Sequence, residues 1–381
     1  MTKIRVLNPE DKKSFVTRNK FPGEEGNPFD RILRHLQKIN QISIFLFFIL
    51  LFLSAGVFSL FNIENWLLLV LFSVTDSLII GFLPKLKISF GPYKSQVLVL
   101  LFLRALFIWF SFPINLIFQI LGSLLVFYGF IQEPSELRIT TIYHKFPTVS
   151  SPFNFLHISD VHLEQPGIRE KKLLRIVESR KPEFILFTGD FLNLSNIRDN
   201  KAIANIISIF NQINKISPIY YVSGSSAVDV EDTIKIIEKN LNPTRLNNSN
   251  ILLNHGGNNI NIIGITCTHQ PHIDIKQLPP LLQKDYINIL LYHSPDLVYE
   301  LRREDRIDLM LSGHTHGGQV RLPIIGAFFT GSLYGRKLQK GLYQIHDTLL
   351  YISRGIGLEG LGAPRVRFLC SPEIIEWKIN S

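Results

Sequence analysis

Apolar side chains follow one pattern in the first third of the chain and another beyond it. Residues 42–61 form a stretch without any charge, of the length that crosses a hydrocarbon core of about 30 Å. Residues 66–83 form a second apolar stretch, and residues 97–131 form a third. As one helix the third would measure about 52 Å, so we expect it to fold back at Ser-Phe-Pro, residues 111–113, either as two short spans or as a re-entrant hairpin. The pattern predicts a transmembrane helical region of about four spans at residues 42–131.

Two ionisable residues lie inside these apolar stretches. Asp76 falls in the second stretch and Arg104 in the third. An ionisable side chain at membrane depth is costly unless it is paired or hydrated. We therefore predict an ion pair between Asp76 and Arg104 that joins the second and third spans. The alternative is that Arg104 extends to the membrane surface and that Asp76 faces a water pocket.

Beyond the membrane region, short β-branched runs alternate with amphipathic segments. The apolar runs predict six strands, at residues 153–159, 184–189, 219–224, 259–265, 287–293 and 308–313. Helical spacing of apolar residues predicts three helices, at residues 171–180, 202–213 and 230–239. Asparagine-rich stretches at residues 247–250 and 254–259 are typical of loops. The alternation of strands and helices indicates a layered α/β domain.

Charge and cysteine content limit the compartment and the partners. The 381 residues carry a formal net charge of +9, and residues 1–41 are a basic segment. Lys and Arg beside membrane spans favour the cytoplasmic side, so we expect this segment and the domain after the spans to be cytoplasmic. The two cysteines fit a reducing compartment. The sequence has no dense basic run interleaved with aromatic residues, so we expect no nucleic-acid partner.

Residues able to bind metal follow the ends of four predicted strands. They are Asp160 and His162, then Asp190, then His293, and finally His314 and His316 in a glycine-rich loop. A carboxylate can bridge two cations and neutral imidazoles can complete their coordination, so the set suits a pair of transition metals. Each motif is common by chance, but the shared position after strands favours one common site.

The order of these residues resembles the calcineurin-like metallophosphoesterase family, whose motifs are Asp-x-His, Gly-Asp, Gly-Asn-His-Asp or Glu, a later His, and Gly-His-x-His. The sequences LSGHTHGGQVRLP (residues 311–323) and LYISRGIG (residues 350–357) are similar to its membrane-anchored bacterial branch. The resemblance implies a four-layer α/β phosphoesterase domain, a β-sandwich flanked by helices, at residues 151–381. A linker at residues 132–150 would join it to the N-terminal helical membrane domain in the bacterial inner (cytoplasmic) membrane.

The same resemblance implies a cofactor of two divalent metal ions, which would be manganese, iron or zinc. Carried over by position, Asp160, His162 and His316 would hold one ion, and Asp190 would bridge both. His293 and His314 would hold the second ion.

The third motif departs from the family. Where the family reads Gly-Asn-His-Asp, this chain has Gly-Ser-Ser-Ala at residues 224–227. Ser225 stands at the position of the metal-binding asparagine, and Ser226 at that of the catalytic histidine that assists the leaving group. Loss of a positioned proton donor typically lowers a rate by about 10²- to 10⁴-fold. The loop residues that could assist instead are His255, His269 and His272.

Two functions remain open from the sequence. The first is a membrane-anchored enzyme of weakened or specialised activity that hydrolyses a phosphodiester or pyrophosphate, including a lipid-linked one presented by the bilayer. Arg354, Arg365 and Arg367 would bind phosphate oxygens in that enzyme. The second is a degenerate, non-catalytic module that binds metal or a partner at the membrane. The lipid bilayer is a partner in both, and the sequence predicts no oligomeric state.

Overall fold

Helices make up most of the first third of the chain. The computed structural model describes residues 4–15, 20–24, 26–146 and 149–380. The first five α-helices are α1 (Pro28–Ile39), α2 (Ile44–Phe58), α3 (Ile63–Phe82), α4 (Lys94–Ala105) and α5 (Phe112–Phe127). A π-helical turn (Tyr128–Gln132) joins α5 to the single turn α6 (Glu133–Ser135). Asn27, Ser43 and Asn62 begin α1, α2 and α3 because their side chains accept a hydrogen bond from a first-turn amide.

Strands and helices alternate in the rest of the chain. The helices are α7 (Ile168–Arg180), α8 (Asn200–Asn214), α9 (Glu231–Asn240) and α10 (Pro271–Asp274). The strands, numbered from the N-terminus, are β1 (Arg5–Val6), β2 (Arg138–Lys145), β3 (Phe153–Ile158), β4 (Phe184–Phe187), β5 (Ile219–Tyr221), β6 (Thr244–Arg245), β7 (Ser249–His255), β8 (Asn258–Gly264), β9 (Ile287–Leu291), β10 (Leu309–Ser312), β11 (Arg321–Leu322), β12 (Gly326–Ala327), β13 (Gly341–Ile345), β14 (Thr348–Ile352) and β15 (Glu373–Asn380). All six strands and three helices expected from the pattern are present, with ends within about three residues of the prediction.

Two mixed sheets pack face to face and define the α/β architecture. One has the strand order β2-β15-β3-β4-β5-β6 and the other β1-β13-β14-β10-β9-β8-β7. Phe155 and Trp377 of the first sheet share a buried core with Ile289 and Leu311 of the second. Helices α7, α8 and α9 bury their apolar faces against the outer side of the first sheet. Short 3₁₀ turns and the N-terminal segment, rather than long helices, cover the outer side of the second.

The expected domain boundaries need two corrections. Residues 132–150 are more than a linker, because β2 pairs in parallel with β15 along eight residues. Residues 1–41 also contribute to the α/β fold, since β1 pairs with β13 and Leu7 and Phe21 are buried in the core beside the second sheet. The asparagine-rich loop prediction was wrong for most of its length, since β7 and β8 form an antiparallel hairpin there.

Helices α2 to α5 form an apolar bundle. In the described part of the chain, two helical stretches are long and apolar enough to cross a membrane, Ile63–Phe82 and Phe112–Ser135. A third is obtained if α1 and α2, which meet at 103°, act as one span. The helices at the other two predicted spans are short. Helix α2 has 15 residues, and α4 has 12 residues and a length of only about 18 Å. The fold-back is where we expected it, between Ala105 and Phe112.

A buried ion pair joins the helices of the bundle. Arg104 Nε and Nη2 donate to the two carboxylate oxygens of Asp76 at 2.7 and 2.6 Å. Arg104 also donates to Gln119 and to the Ser123 hydroxyl, so the guanidinium is bound on three sides. The predicted pairing of Asp76 with Arg104 is therefore confirmed. It links α3 to α4, and the further contacts reach α5.

Candidate metal centre

The six residues predicted to bind metal lie in loops that follow strands of the two sheets. Asp160 and His162 follow β3, Asp190 follows β4, His293 follows β9, and His314 and His316 follow β10. We call these six residues the metal centre. Parallel neighbours β3 and β4 end at one edge, as do β9 and β10, and the two edges face each other across the sandwich. The alignment of strand ends therefore gathers residues that are 156 positions apart in sequence.

Two groups of ligand atoms converge within the metal centre. Asp160, His162 and His316 form one group, and Asp160, Asp190 and His293 form the other, each with ligand atoms within 4.8 Å of one another. Asp190 Oδ2 lies 3.3 Å from both His162 Nε2 and His293 Nε2. His162 Nε2 and His316 Nε2 are 3.0 Å apart. Asp160 thus belongs to both groups, Asp190 contacts one histidine of each, and His314 lies in neither group.

Backbone carbonyls fix which nitrogen of two imidazoles faces the centre. His293 Nδ1 donates to the Thr188 carbonyl at 2.7 Å, and His314 Nε2 donates to the Gly331 carbonyl at 3.1 Å. In their neutral forms, His293 Nε2 and His314 Nδ1 then present lone pairs. Lone pairs and carboxylate oxygens that point at one place are the donor set of a transition-metal site, so these residues fit the expected cations.

The charges of Asp190 and its two neighbouring histidines depend on one another. Burial raises the pKa of Asp190, but the charge of His293 and hydrogen bonds from both histidines outweigh burial and hold that pKa well below its usual range. Burial lowers the pKa of His162, but its hydrogen bond to Asp190 and the Asp190 charge raise it to about 9. His293 responds in the same way, with a pKa raised to about 10. Strongly perturbed, buried groups that share one carboxylate are characteristic of a functional site.

An additional carboxylate, Asp229, holds the loops of the centre in place. Its two oxygens accept hydrogen bonds from the amides of Asp190, Phe191 and Gly224 at 2.7–3.0 Å. Gly224 has to be a glycine, because a Cβ there would come within 2.0 Å of Asp190 Oδ1. The sequence analysis missed Asp229, although an acid two residues beyond a Ser-Ser-Ala turn is the signal that could have indicated it.

The two serines of the altered third motif have different surroundings. The Ser225 amide donates to Asp190 Oδ1 at 2.8 Å, and its Oγ is 3.1 Å from His293 Nε2 and 3.3 Å from His314 Nδ1. Ser226 is exposed, and its hydroxyl donates to the Gly23 carbonyl at 3.4 Å. Ser225 therefore lies inside the centre, whereas Ser226 faces away from the imidazoles and is not placed to assist a leaving group.

The candidate loop histidines and the candidate arginines near the C-terminus do not all lie at the metal centre. His269 is buried beside the centre, with its ring centroid 4.7 Å from that of His314. His255 instead pairs with Glu183 at the surface. Arg354 forms a buried ion pair with Glu373 at 2.6 Å. This pairing occupies its guanidinium, so the expectation that Arg354 binds substrate phosphate is withdrawn.

The other two arginines of the tail are also structural. Arg365 is buried and paired with Glu164 at 2.7 Å. Arg367 is buried and donates to the carbonyls of Arg354, Gly357 and Cys370. Both guanidiniums therefore stabilise the loops around the centre and do not face a substrate.

Comparison with known proteins identifies the class. Residues 153–318 match the family model of the calcineurin-like phosphoesterases. The chain thus contains a calcineurin-like phosphoesterase domain, and this domain places it among the metal-dependent phosphoester hydrolases. The resemblance of the motifs to the calcineurin-like family is confirmed, whereas the resemblance to its membrane-anchored branch stays a prediction.

Three relatives are similar over most of their own length. The uncharacterized metallophosphoesterase YkoQ of Bacillus subtilis is 28% identical over 58% of this chain and 81% of its own. The UDP-2,3-diacylglucosamine pyrophosphatase LpxG of Chlamydia muridarum is 27% identical over 64% of this chain and 89% of its own. The phosphodiesterase YaeI of Escherichia coli is 27% identical over 60% of this chain and 83% of its own.

Proposed function

We propose that this protein is a membrane-anchored, metal-dependent hydrolase of a phosphodiester or pyrophosphate that carries an apolar chain. The observation that carries the proposal is a cavity of about 390 Å³ that metal-centre residues line at one end and mostly apolar side chains line elsewhere, with Asp30 and Glu359 as the charged exceptions. His162, Asp190 and His316 contribute to the polar end, and Leu33 and Phe328 to the walls. A phosphate group at the polar end would leave an attached chain in contact with the walls.

A second cavity extends this apolar surface towards the helical bundle. It has a volume of about 570 Å³ and lies against α4 and α5. Leu36, Val320, Pro364 and Val366 line both cavities. Each buried methylene group contributes about 0.8 kcal/mol, so a long chain lying here would bind strongly. The relative LpxG is named for a substrate with two acyl groups, which agrees with a substrate that carries an apolar chain.

In the proposed enzyme, Asp160, His162 and His316 would hold one cation, His293 and His314 would hold the other, and Asp190 would be shared by both. Two bound divalent cations would supply Lewis-acid polarisation of the phosphoryl group and a water of lowered pKa. The carbonyls of residues 188 and 331 keep His293 and His314 in the tautomers that can bind metal.

The bundle is proposed as the membrane anchor. Its outward-facing side chains are apolar and exposed, among them Phe45, Leu53, Leu78, Trp109 and Leu124. An apolar patch of this extent is unfavourable in water and suits contact with lipid. The basic N-terminal segment supports a multi-pass arrangement in the bacterial inner membrane with the phosphoesterase domain on the cytoplasmic side.

A weakened or specialised activity follows from the third motif. Neither Ser225 nor Ser226 supplies a proton donor like the family histidine, so substrates with good leaving groups would be favoured. The same change favours a second candidate function, a non-catalytic module that binds metal or a partner at the membrane.

The first test is hydrolysis by the 381-residue protein in detergent micelles, with manganese and in parallel with cobalt. We expect turnover of an activated aryl phosphodiester that His316→Ala abolishes and that His272→Ala, at a half-buried position of α10, leaves unchanged. Equal rates for the wild-type protein and His316→Ala would instead support the non-catalytic module.

The second test addresses the apolar chain. Val366→Trp fills the wall that the two cavities share, and Ile236→Trp, on the exposed side of α9, is the matched control. Loss of about two buried methylenes corresponds to roughly a tenfold higher KM for a long-chain phosphodiester. We expect that increase for Val366→Trp only, with the short aryl substrate unaffected. Equal KM values for both variants would contradict the role of the cavity.

A further inference from the structure

A third imidazole faces the point between His293 and His314. His269 Nε2 lies 3.3 Å from Ser225 Oγ, the same oxygen that contacts His293 Nε2 and His314 Nδ1. Three ring nitrogens from three different loops therefore surround one serine hydroxyl. His269 belongs to none of the motifs that carry the family resemblance.

One hydroxyl cannot satisfy the nitrogens around it. The carbonyl partners of His293 and His314 leave a lone pair on each nitrogen that faces Ser225. Ser225 Oγ has a single hydrogen and can donate to only one of them. A cation bound at this point would accept the lone pairs of all the neutral rings at once, which a single hydroxyl hydrogen cannot do.

The loop that holds His269 is positioned for this contact. The Asp274 carboxylate accepts hydrogen bonds from the Thr268 amide and hydroxyl at 2.8 and 2.6 Å, and from the Tyr292 hydroxyl at 2.6 Å. Thr268 and Tyr292 are the neighbours of His269 and His293, so Asp274 ties the two imidazoles together.

Two local features of His269 resemble those of the metal centre. His269 has a φ of 60°, in the left-handed region that five of the six centre residues also adopt. Such a conformation is strained for a residue with a side chain and is typical of functional sites. The His269 ring is buried, and its Nδ1 has no hydrogen-bond partner among the described residues.

We propose that His269 is a ligand of the second metal ion and replaces the asparagine oxygen that is absent at Ser225. The inference rests on the proposed metal-dependent function and deepens it. With His269, His293, His314 and Asp190, the second position offers three nitrogens and one carboxylate. Such a donor set favours zinc, cobalt or nickel over manganese, which prefers oxygen ligands.

The test is metal binding by the full-length protein, independent of activity. Protein stripped with a chelator is titrated with Co²⁺, and bound metal is measured by elemental analysis and visible absorption. We expect two equivalents for the wild-type protein. In His269→Ala the first equivalent is retained, and the second half-saturates at a concentration at least about tenfold higher. His272→Ala is the matched control and should bind like the wild-type protein.

Other outcomes are equally decisive. Two equivalents bound by His269→Ala with wild-type affinity would overturn the proposal, even if hydrolysis falls, since His269 would then act on the substrate. His269→Gln, which keeps a polar ligand atom, covers the case in which the alanine variant does not fold, and it should recover part of the second affinity. Loss of the second ion in a protein that hydrolyses nothing would support His269 as a ligand and count against the hydrolase.

Discussion

At the scale of the residue, the metal centre is held in a strained backbone. Its residues with positive φ are Asp160 (49°), His162 (42°), Asp190 (62°), His314 (68°) and His316 (50°). Each such residue costs about 1–3 kcal/mol unless the surroundings compensate. The Asp229 carboxylate, which binds three loop amides, is one such compensation. The centre is therefore built by its supporting loops as much as by its ligands.

The ion pair in the bundle leads to a prediction at the same scale. Arg104→Ala leaves Asp76 buried without its partner, which typically destabilises a protein by about 3–5 kcal/mol. Asp76→Leu combined with Arg104→Met removes both charges and should be closer to the wild-type protein. The stability of both variants is measured by thermal unfolding in detergent. A double variant that unfolds no higher than Arg104→Ala would show that the pair is not what stabilises the helices.

The sequence was sufficient to predict the candidate metal ligands, which directly follow apolar strands. The metal-centre residues could be found because each follows an apolar run, and the Asp76–Arg104 pair because charge at membrane depth needs a partner. His269 could not be distinguished from the other loop histidines by sequence, because a single residue in a loop belongs to no repeating pattern. The position of its loop depends on contacts with Asp274 that only the fold creates. Arg354 was misinterpreted, since its partner Glu373 lies 19 residues away and only the fold brings them together.

At the scale of the element, the N-terminal segment lies directly over the site. Residues 20–24, which we call the strap, cross the loop of the third motif. The Gly23 carbonyl accepts a hydrogen bond from the Ala227 amide at 3.1 Å, and Phe21 is buried beside the His269 ring. Pro22 and Gly23 line the cavity that contains the metal centre. The strap therefore forms part of the wall that a substrate would meet.

Gly23 gives a prediction for the strap. A Cβ at this position would lie 2.6 Å from His269 Nε2 and 3.0 Å from the His314 ring, and the φ of 100° is unfavourable for any other residue. We expect Gly23→Ala to displace the strap and to speed trypsin cleavage after Lys20. Gly257→Ala has a similar positive φ of 81° but open space around its Cβ, so it is the matched control. Equal cleavage rates for the two variants would contradict the proposed contact with the site.

The strands that the sequence failed to predict are those that pair with strands far away in the sequence. β2 has mostly polar, partly exposed side chains, and it becomes a strand only because β15 lies beside it more than 200 residues later. The strap and β1 have no pattern of their own and are fixed by the core that they cover. By contrast, β3, β4, β9 and β10 are predominantly apolar and almost wholly buried, so the pattern of apolar residues identifies them directly.

At the scale of the whole molecule, the bundle and the phosphoesterase domain are joined by specific contacts. The Glu133 carboxylate, at the start of the short helix α6 that follows the bundle, accepts hydrogen bonds from the Leu369 and Cys370 amides and the Ser371 hydroxyl at 2.7–2.9 Å. The Arg367 amide donates to the Gly129 carbonyl at 2.9 Å. These contacts hold the cavity at a fixed distance from the helices, so a chain entering from the bilayer would meet a preformed path.

The proposed membrane arrangement predicts the side on which each part lies. Glu64, in the first turn of α3, is exposed and should face the outside, whereas the exposed Ser179 of α7 should face the cytoplasm. We expect a membrane-impermeant maleimide to label Glu64→Cys in spheroplasts and Ser179→Cys only after permeabilisation. Cys267 and Cys370 are buried, so the background should be low. Labelling of Ser179→Cys in intact spheroplasts would place the metal centre outside and exclude a substrate supplied from the cytoplasm.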